Sequence, residues 1–168
     1  MEGRKVRESR ITLTLAMGVT EANVLGNVHG GVIMKLCDEA GGTAAMKHAR
    51  RPVVTVAVDS MSFHSPVNIG NLLTVQAEVT WVGRTSLETR LVVTAEDIMT
   101  GALTHTNTAY FVYVALDEDG NPAEVPPLIC ETEEEKTLLA EGAARQAMRL
   151  ERRRQERPIT LQNDANSK

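Results

Sequence analysis

Residues 30–48 read GGVIMKLCDEAGGTAAMKH, and the spacing of their apolar side chains decides the fold. At 100° per residue, Ile33, Leu36, Cys37, Ala40 and Ala44 fall on one face, with Lys35, Glu39, Lys47 and Arg50 opposite. No proline interrupts the run before Pro52, so the sequence predicts one long helix. Glu39 stands four residues from Lys35 on the polar face, which marks it as a solvated carboxylate in a weak ion pair. Asp38 differs. It borders the core face in a stripe of Met34, Gly41, Gly42, Ala45 and Ala49, where small side chains allow a ligand or a second backbone to come close. A carboxylate in such a stripe needs a partner, because a buried, unpaired charge costs several kcal/mol. Spacing leaves open whether a neighbouring subunit or a substrate meets it.

Outward from the helix, the pattern changes to a period of two. Ile11, Leu13, Leu15 and Met17 alternate with Thr12, Thr14 and Ala16, so 10–17 is expected to be a strand. After the helix, 53–63, 72–81, 87–95 and 103–114 each read as strands. Within 72–81, Leu73, Val75, Ala77, Val79 and Trp81 are expected on one face, and Thr74, Gln76, Glu78 and Thr80 on the other. The turns Asn68-Ile69-Gly70-Asn71, Gly83-Arg84 and Thr100-Gly101 make the last three strands an antiparallel meander. The fold class is therefore α+β. A single amphipathic helix followed by a meander packs most simply as a curled antiparallel sheet around a long central helix, the hotdog arrangement. Such a sheet leaves an edge that a second copy would protect, which predicts at least a homodimer.

Past residue 114 the composition shifts. Residues 117–127 read as a loop, and Thr132 with Glu135 forms a capping box for a second helix. Glu131, Glu133, Glu134 and Glu135 gather at its start, with Arg145, Arg149, Arg152, Arg153, Arg154 and Arg157 toward its end, as the helix dipole favours. The plain reading of those arginines is a solvated helix terminus. Domain boundaries follow: 1–130 for the globular unit, 131–157 for the helical extension and 158–168 for a disordered tail.

Composition excludes several classes of function. The 168 residues carry a net charge of −4 and 3% aromatic residues, against a nucleic-acid binder. No apolar run approaches the ~20 residues of a membrane span, and Arg4, Lys5, Arg7 and Arg10 lead into no signal-peptide core. A cytoplasmic protein without membrane association is expected. Cys37 and Cys130 are too few for a disulfide framework, and both are expected as free thiols, Cys37 in the core. His29, His48, His64 and His105 show no metal-pair spacing, so neither a metal nor a cofactor is expected. His29 has no Ser or Cys nucleophile placed with it, and capping the helix is the plainer role.

The loop ahead of the helix, Asn23 to Gly31, aims backbone N–H groups at whatever lies beside the helix N-terminus. Gly26 and Gly31 meet the spacing of a phosphate loop, but Val32 and Ile33 occupy its Lys and Ser/Thr positions. An oxyanion site suits the loop better than a nucleotide site.

Four stretches share a more specific pattern: NVLGNVHGGVIMKLCDEAGG from Asn23, TVAVDSMSFHSPVNIGN from Thr55, WVGRTSLE from Trp81 and VPPLICETEEEK from Val125. In this order they resemble the acyl-CoA hydrolase family of hotdog thioesterases, which includes bacterial YciA-type enzymes and the animal cytosolic long-chain acyl-CoA hydrolases. The resemblance covers roughly residues 10 to 150. It implies hydrolysis of acyl-CoA to free CoA and a carboxylic acid, at a site where Asn23 of one subunit and Asp38 of another face the thioester. Asp38 would act as general base or nucleophile, Asn23 would hold the water or carbonyl, and the Gly30 and Gly31 N–H groups would receive the oxyanion. CoA would lie along Val56, Ala57 and Val58, at the Arg84-Thr85-Ser86 turn and near Arg145. The minimal unit implied is a homodimer, with a trimer of dimers as the expected assembly. Two other classes compete: a non-catalytic acyl-CoA sensor, for which the chain carries no effector module, and a hotdog 3-hydroxyacyl dehydratase, whose longer signature is missing around His64.

Overall fold

The computed structural model describes residues 1–59 and 61–155. The strand β1 (Arg4–Lys5) leads into a single helical turn, α1 (Val6–Ser9), and then strand β2 (Ile11–Ala16). The long helix α2 (Gly30–Ala49) follows, then β3 (Val53–Asp59), β4 (Leu72–Val82), β5 (Ser86–Glu96), β6 (Leu103–Ala115), β7 (Leu128–Ile129) and α3 (Glu133–Gln155). Five strands form one antiparallel sheet in the order β2-β4-β5-β6-β3. Helix α2 contacts all five of them, so the sheet wraps it in the hotdog manner.

The core-face residues of α2 are buried as the wheel requires, with Cys37 and Ala44 fully enclosed. They pack on Leu73, Val75, Val79, Leu87, Leu91, Val93, Phe111 and Tyr113 from the sheet, and each large apolar side chain removed from water contributes roughly 1.5–3 kcal/mol. The Lys35–Glu39 pair lies exposed at 3.5 Å. The helix stops where Arg50 enters the left-handed region at φ 55, and its N–H returns to the Met46 carbonyl.

Helix α3 lies on the opposite face of the sheet. Its capping box forms: the Glu135 N–H donates to Thr132 Oγ1 at 3.2 Å, and the Thr132 N–H donates to Glu135 Oε2 at 3.3 Å. Two details of the sheet differ from the expectation. Trp81 does not share the core face of β4. The register slips between Val79 and Trp81, so Val79 pairs with Thr89 but Trp81 pairs with Glu88 on the α3 side. The slip turns the indole onto α3, where a Cβ added at Gly142 would sit 2.6 Å from Trp81 Cβ. A small residue is needed there for the helix to reach the sheet. The second difference is the parallel pairing of β1 with β7, two strands too short to show a period in sequence.

The arginines of α3 are not uniformly solvated either. Glu88 is fully buried on β5. Arg145 donates to it from Nε at 3.1 Å and Nη2 at 2.9 Å, with its guanidinium 3.7 Å over the Tyr110 ring. Arg149 is buried, donating from Nη1 to Glu88 Oε2 at 3.1 Å and to Asp59. Arg152, Arg153 and Arg154 remain exposed, as a solvated terminus requires. Arg157 and the tail 158–168 lie outside the described residues.

Candidate active site

Asp38 sits one and a half turns beyond the core contact of Ile33, half-buried, on the side of α2 that meets strand β3. The register of β3 and β6 places Thr55 opposite Tyr113 on one face of the sheet. Both hydroxyls therefore rise under α2 at the same point. Thr55 Oγ1 donates to Asp38 Oδ1 at 2.7 Å, and the Tyr113 hydroxyl lies 3.3 Å from the same oxygen and 3.2 Å from the Asp38 carbonyl oxygen. Gly41 makes this approach possible: a Cβ there would stand 2.6 Å from the Tyr113 hydroxyl and 2.8 Å from Thr89 Oγ1. Asp38, Thr55 and Tyr113 line a surface cleft with Glu39, Gly42 and Val53. Burial, and after it the charge of Asp38, push the neighbouring Cys37 thiol up to about 12. Cys37 therefore stays protonated and is no thiolate nucleophile.

Asn23 belongs to a different cleft. Its Oδ1 accepts from the N–H groups of Leu25 at 2.8 Å and Asn27 at 3.2 Å, a turn that fixes the carboxamide. Around it stand Asn27, Gly30, Ile33, Phe63 and His64. This cleft shares no residue with that of Asp38, so a single chain does not bring the two side chains to one pocket. His29 caps α2 as its position suggests, accepting the Gly31 N–H on Nδ1 at 3.0 Å. The Gly31 N–H is thus engaged within the chain, and Gly30 lines the cleft at the helix start.

A third cleft lies on the α3 side of β3. The register shifts between Thr55 and Ala57, and this bulge turns Ala57 away from α2, opposite Val112. Val56, Ala57, Thr85 and Ser86 line the cleft with Val112, Val114, Arg149 and Arg153. Val58 joins an adjoining depression bounded by Asp59, Arg149, Arg152 and Arg153. Five of the seven expected CoA contacts are therefore neighbours. Arg84 sits exposed at the Gly83–Ser86 turn without lining the cleft, and Arg145 is held behind it by Glu88.

The sequence alone gives no role to Thr55, Tyr113 or Glu88, and it reads Arg153 only as part of a solvated helix terminus. A lone threonine in the valine run of β3, and a lone glutamate between Leu87 and Thr89, were the signals available.

The Thioesterase superfamily model matches residues 25–102, a span that holds α2, Asp38 and Thr55. The uncharacterized acyl-CoA thioester hydrolase YkhA of Bacillus subtilis (strain 168) is 33% identical over 153 residues, covering 91% of this chain and 89% of that protein. The chain belongs to the acyl-CoA thioester hydrolase family. Within this family, the cytosolic acyl coenzyme A thioester hydrolase of Rattus norvegicus is 34% identical over 146 residues, covering 86% of this chain. The chain spans 38% of the rat protein's length. Among solved structures, an apo-hexameric acyl-CoA thioesterase superposes with a TM-score of 0.86 at 36% identity, covering 90% of this chain and 97% of that one.

Proposed function

We propose that this protein hydrolyses acyl-CoA thioesters, releasing CoA and a carboxylic acid, at a site assembled from Asp38 of one subunit and Asn23 of another. The observation that carries the reading is the division of labour along β3. Thr55 faces Asp38, while the next residues, Val56 and Ala57, form the wall of an arginine-lined cleft. A thioester whose carbonyl lies at Asp38 can cross this strand and leave its phosphates near Arg149 and Arg153.

The chemistry follows from the groups present. Asp38 takes a proton from water as it attacks the thioester carbonyl, or attacks the carbonyl itself to give an anhydride that water then opens. Either way the C–S bond breaks, the sulfur leaves as CoA thiolate and takes a proton, and the acyl group departs as a carboxylate. The Gly30 N–H, at the positive end of α2, stabilises the developing oxyanion, and Gly31 adds a second N–H when His29 releases it. Asn23 orients the water or the carbonyl through its carboxamide N–H groups, its Oδ1 being held by the Leu25 and Asn27 N–H groups. Val56, Ala57, Val58, Thr85 and Ser86 hold the pantetheine and nucleotide portion. Arg84 stands exposed at the neighbouring turn, where it can meet a phosphate that extends past the cleft, and Arg145 supports the cleft from behind rather than meeting phosphate first.

A second copy completes the site. β3 pairs with β6 on one side and is otherwise an open edge, and it exposes Val54, Val56 and Val58. Val24 and Leu25 stand fully in water on the Asn23 loop. Joining two β3 edges would pair the backbone groups that each leaves open and bring the Asn23 loop of one copy toward the Asp38 of the other. The homodimer is the minimal unit, and the hexameric neighbour supports a trimer of dimers. Among the described residues no helix is long and apolar enough to cross a membrane, and the name of the rat relative supports a cytoplasmic setting.

A thiol-release assay over acyl-CoA chain lengths tests the activity. Steady release of CoA thiol is expected. Binding of acyl-CoA without turnover would instead mark a sensor, and a change in alkene absorbance with a 3-hydroxyacyl-CoA would mark a dehydratase.

A further inference from the structure

We infer that Tyr113 is a positioning residue of the hydrolytic site, holding Oδ1 of Asp38 together with Thr55 so that Oδ2 alone meets water or the thioester. The inference rests on the thioesterase reading and specifies which atom of the aspartate reacts. The two hydroxyls come from adjacent strands in direct register and converge on one carboxylate oxygen, at 2.7 and 3.3 Å. Among the described residues no hydrogen bond or ion pair engages Oδ2. A carboxylate clamped through one oxygen cannot rotate freely about its Cβ–Cγ bond, so the second oxygen keeps a fixed direction.

The phenol is suited to this and to little else. Tyr113 is almost wholly enclosed, and its ring stacks on Phe111 with centroids 6.5 Å apart. Burial first, and then the negative charge of Asp38, push its ionisation upward, so the hydroxyl keeps its proton and remains a donor. Gly41 is the second sign that the contact is built. Any larger residue at this helical position would occupy the space of the hydroxyl, and glycine stands here in mid-helix, where its backbone freedom disfavours it relative to alanine.

The test is a double-mutant cycle on turnover. Tyr113→Phe keeps the ring and removes the donor; kcat should fall about 10-fold with KM within 2-fold of wild type. In the Asp38→Asn background the same change should alter kcat less than 2-fold, because a positioning residue acts only through the group it positions. An undiminished kcat for Tyr113→Phe, or an equal loss in both backgrounds, overturns the inference; the latter outcome would assign Tyr113 to packing alone. If Tyr113→Phe does not fold, Gly41→Ala is read by the same cycle, since its Cβ displaces the hydroxyl without deleting it. A wild-type protein that releases no CoA in this assay would instead overturn the thioesterase reading, and the inference with it.

Discussion

Two adjacent carboxylates on α2 have opposite fates, and the difference is set by one residue of helical rotation. Glu39 pairs with Lys35 in solvent, whereas Asp38 is turned into contact with two hydroxyls. Asp38→Asn keeps volume and hydrogen bonding but removes the base or nucleophile. It is expected to lower kcat at least ~10²-fold, with KM and Tm near wild type. Glu39→Gln should be nearly silent, because exposed pairs of this kind are worth under about 1 kcal/mol. Steady-state kinetics and thermal melts on the two variants check both expectations; equal losses would place the reacting carboxylate elsewhere. The asymmetry was legible in the sequence because 3.6 residues per turn separates neighbours by 100°. The partners of Asp38 were not, since Thr55 and Tyr113 meet it through strand register, and register does not appear in a single chain's pattern.

At the scale of elements, the helix and the meander were readable because a 20-residue amphipathic run and alternating strands are strongly periodic signals. The misreadings arose at irregularities. The slip in β4 that carries Trp81 to the other face adds no residue type that marks it, and the burial of Arg149 depends on Glu88, 61 residues away. The cluster of Glu88, Arg145 and Arg149 anchors α3 to the sheet, and the same anchor sets the position of the cleft lined by Arg149 and Arg153. Glu88→Ala leaves two guanidinium groups without their buried carboxylate and is expected to cost about 3 kcal/mol, lowering Tm by roughly 6–12 °C. Arg153 is exposed, and among the described residues it bonds no buried carboxylate. Arg153→Ala should leave Tm unchanged while raising KM for acyl-CoA more than for the same acyl group on a pantetheine analogue that lacks the nucleotide phosphates. Differential melting and a KM comparison separate the anchor from the phosphate contact; a similar KM rise on both substrates would remove Arg153 from phosphate recognition. Added salt should weaken acyl-CoA binding in the wild type and less in Arg153→Ala.

At the scale of the whole molecule, the chain holds Asn23 and Asp38 in two separate clefts. The cleft of Asn23 and the cleft of Asp38 share no lining residue, and the open β3 edge together with the bare Val24 and Leu25 side chains offers the surfaces for a second copy. The expectation of a partner comes from one helix set against an edge-bearing sheet. The proposed pairing of Asn23 with Asp38 across subunits rests on resemblance, not on any pattern in the residues. The most direct measurement combines Asn23→Ala and Asp38→Ala chains, each expected to be inactive alone, by co-expression with different tags or by refolding together. A site shared between subunits gives mixed dimers with one intact and one doubly damaged site. Random pairing makes half of the dimers mixed, so activity should recover to about a quarter of wild type per chain. Purified mixed dimers that stay at the level of the parents would contradict a site shared between subunits.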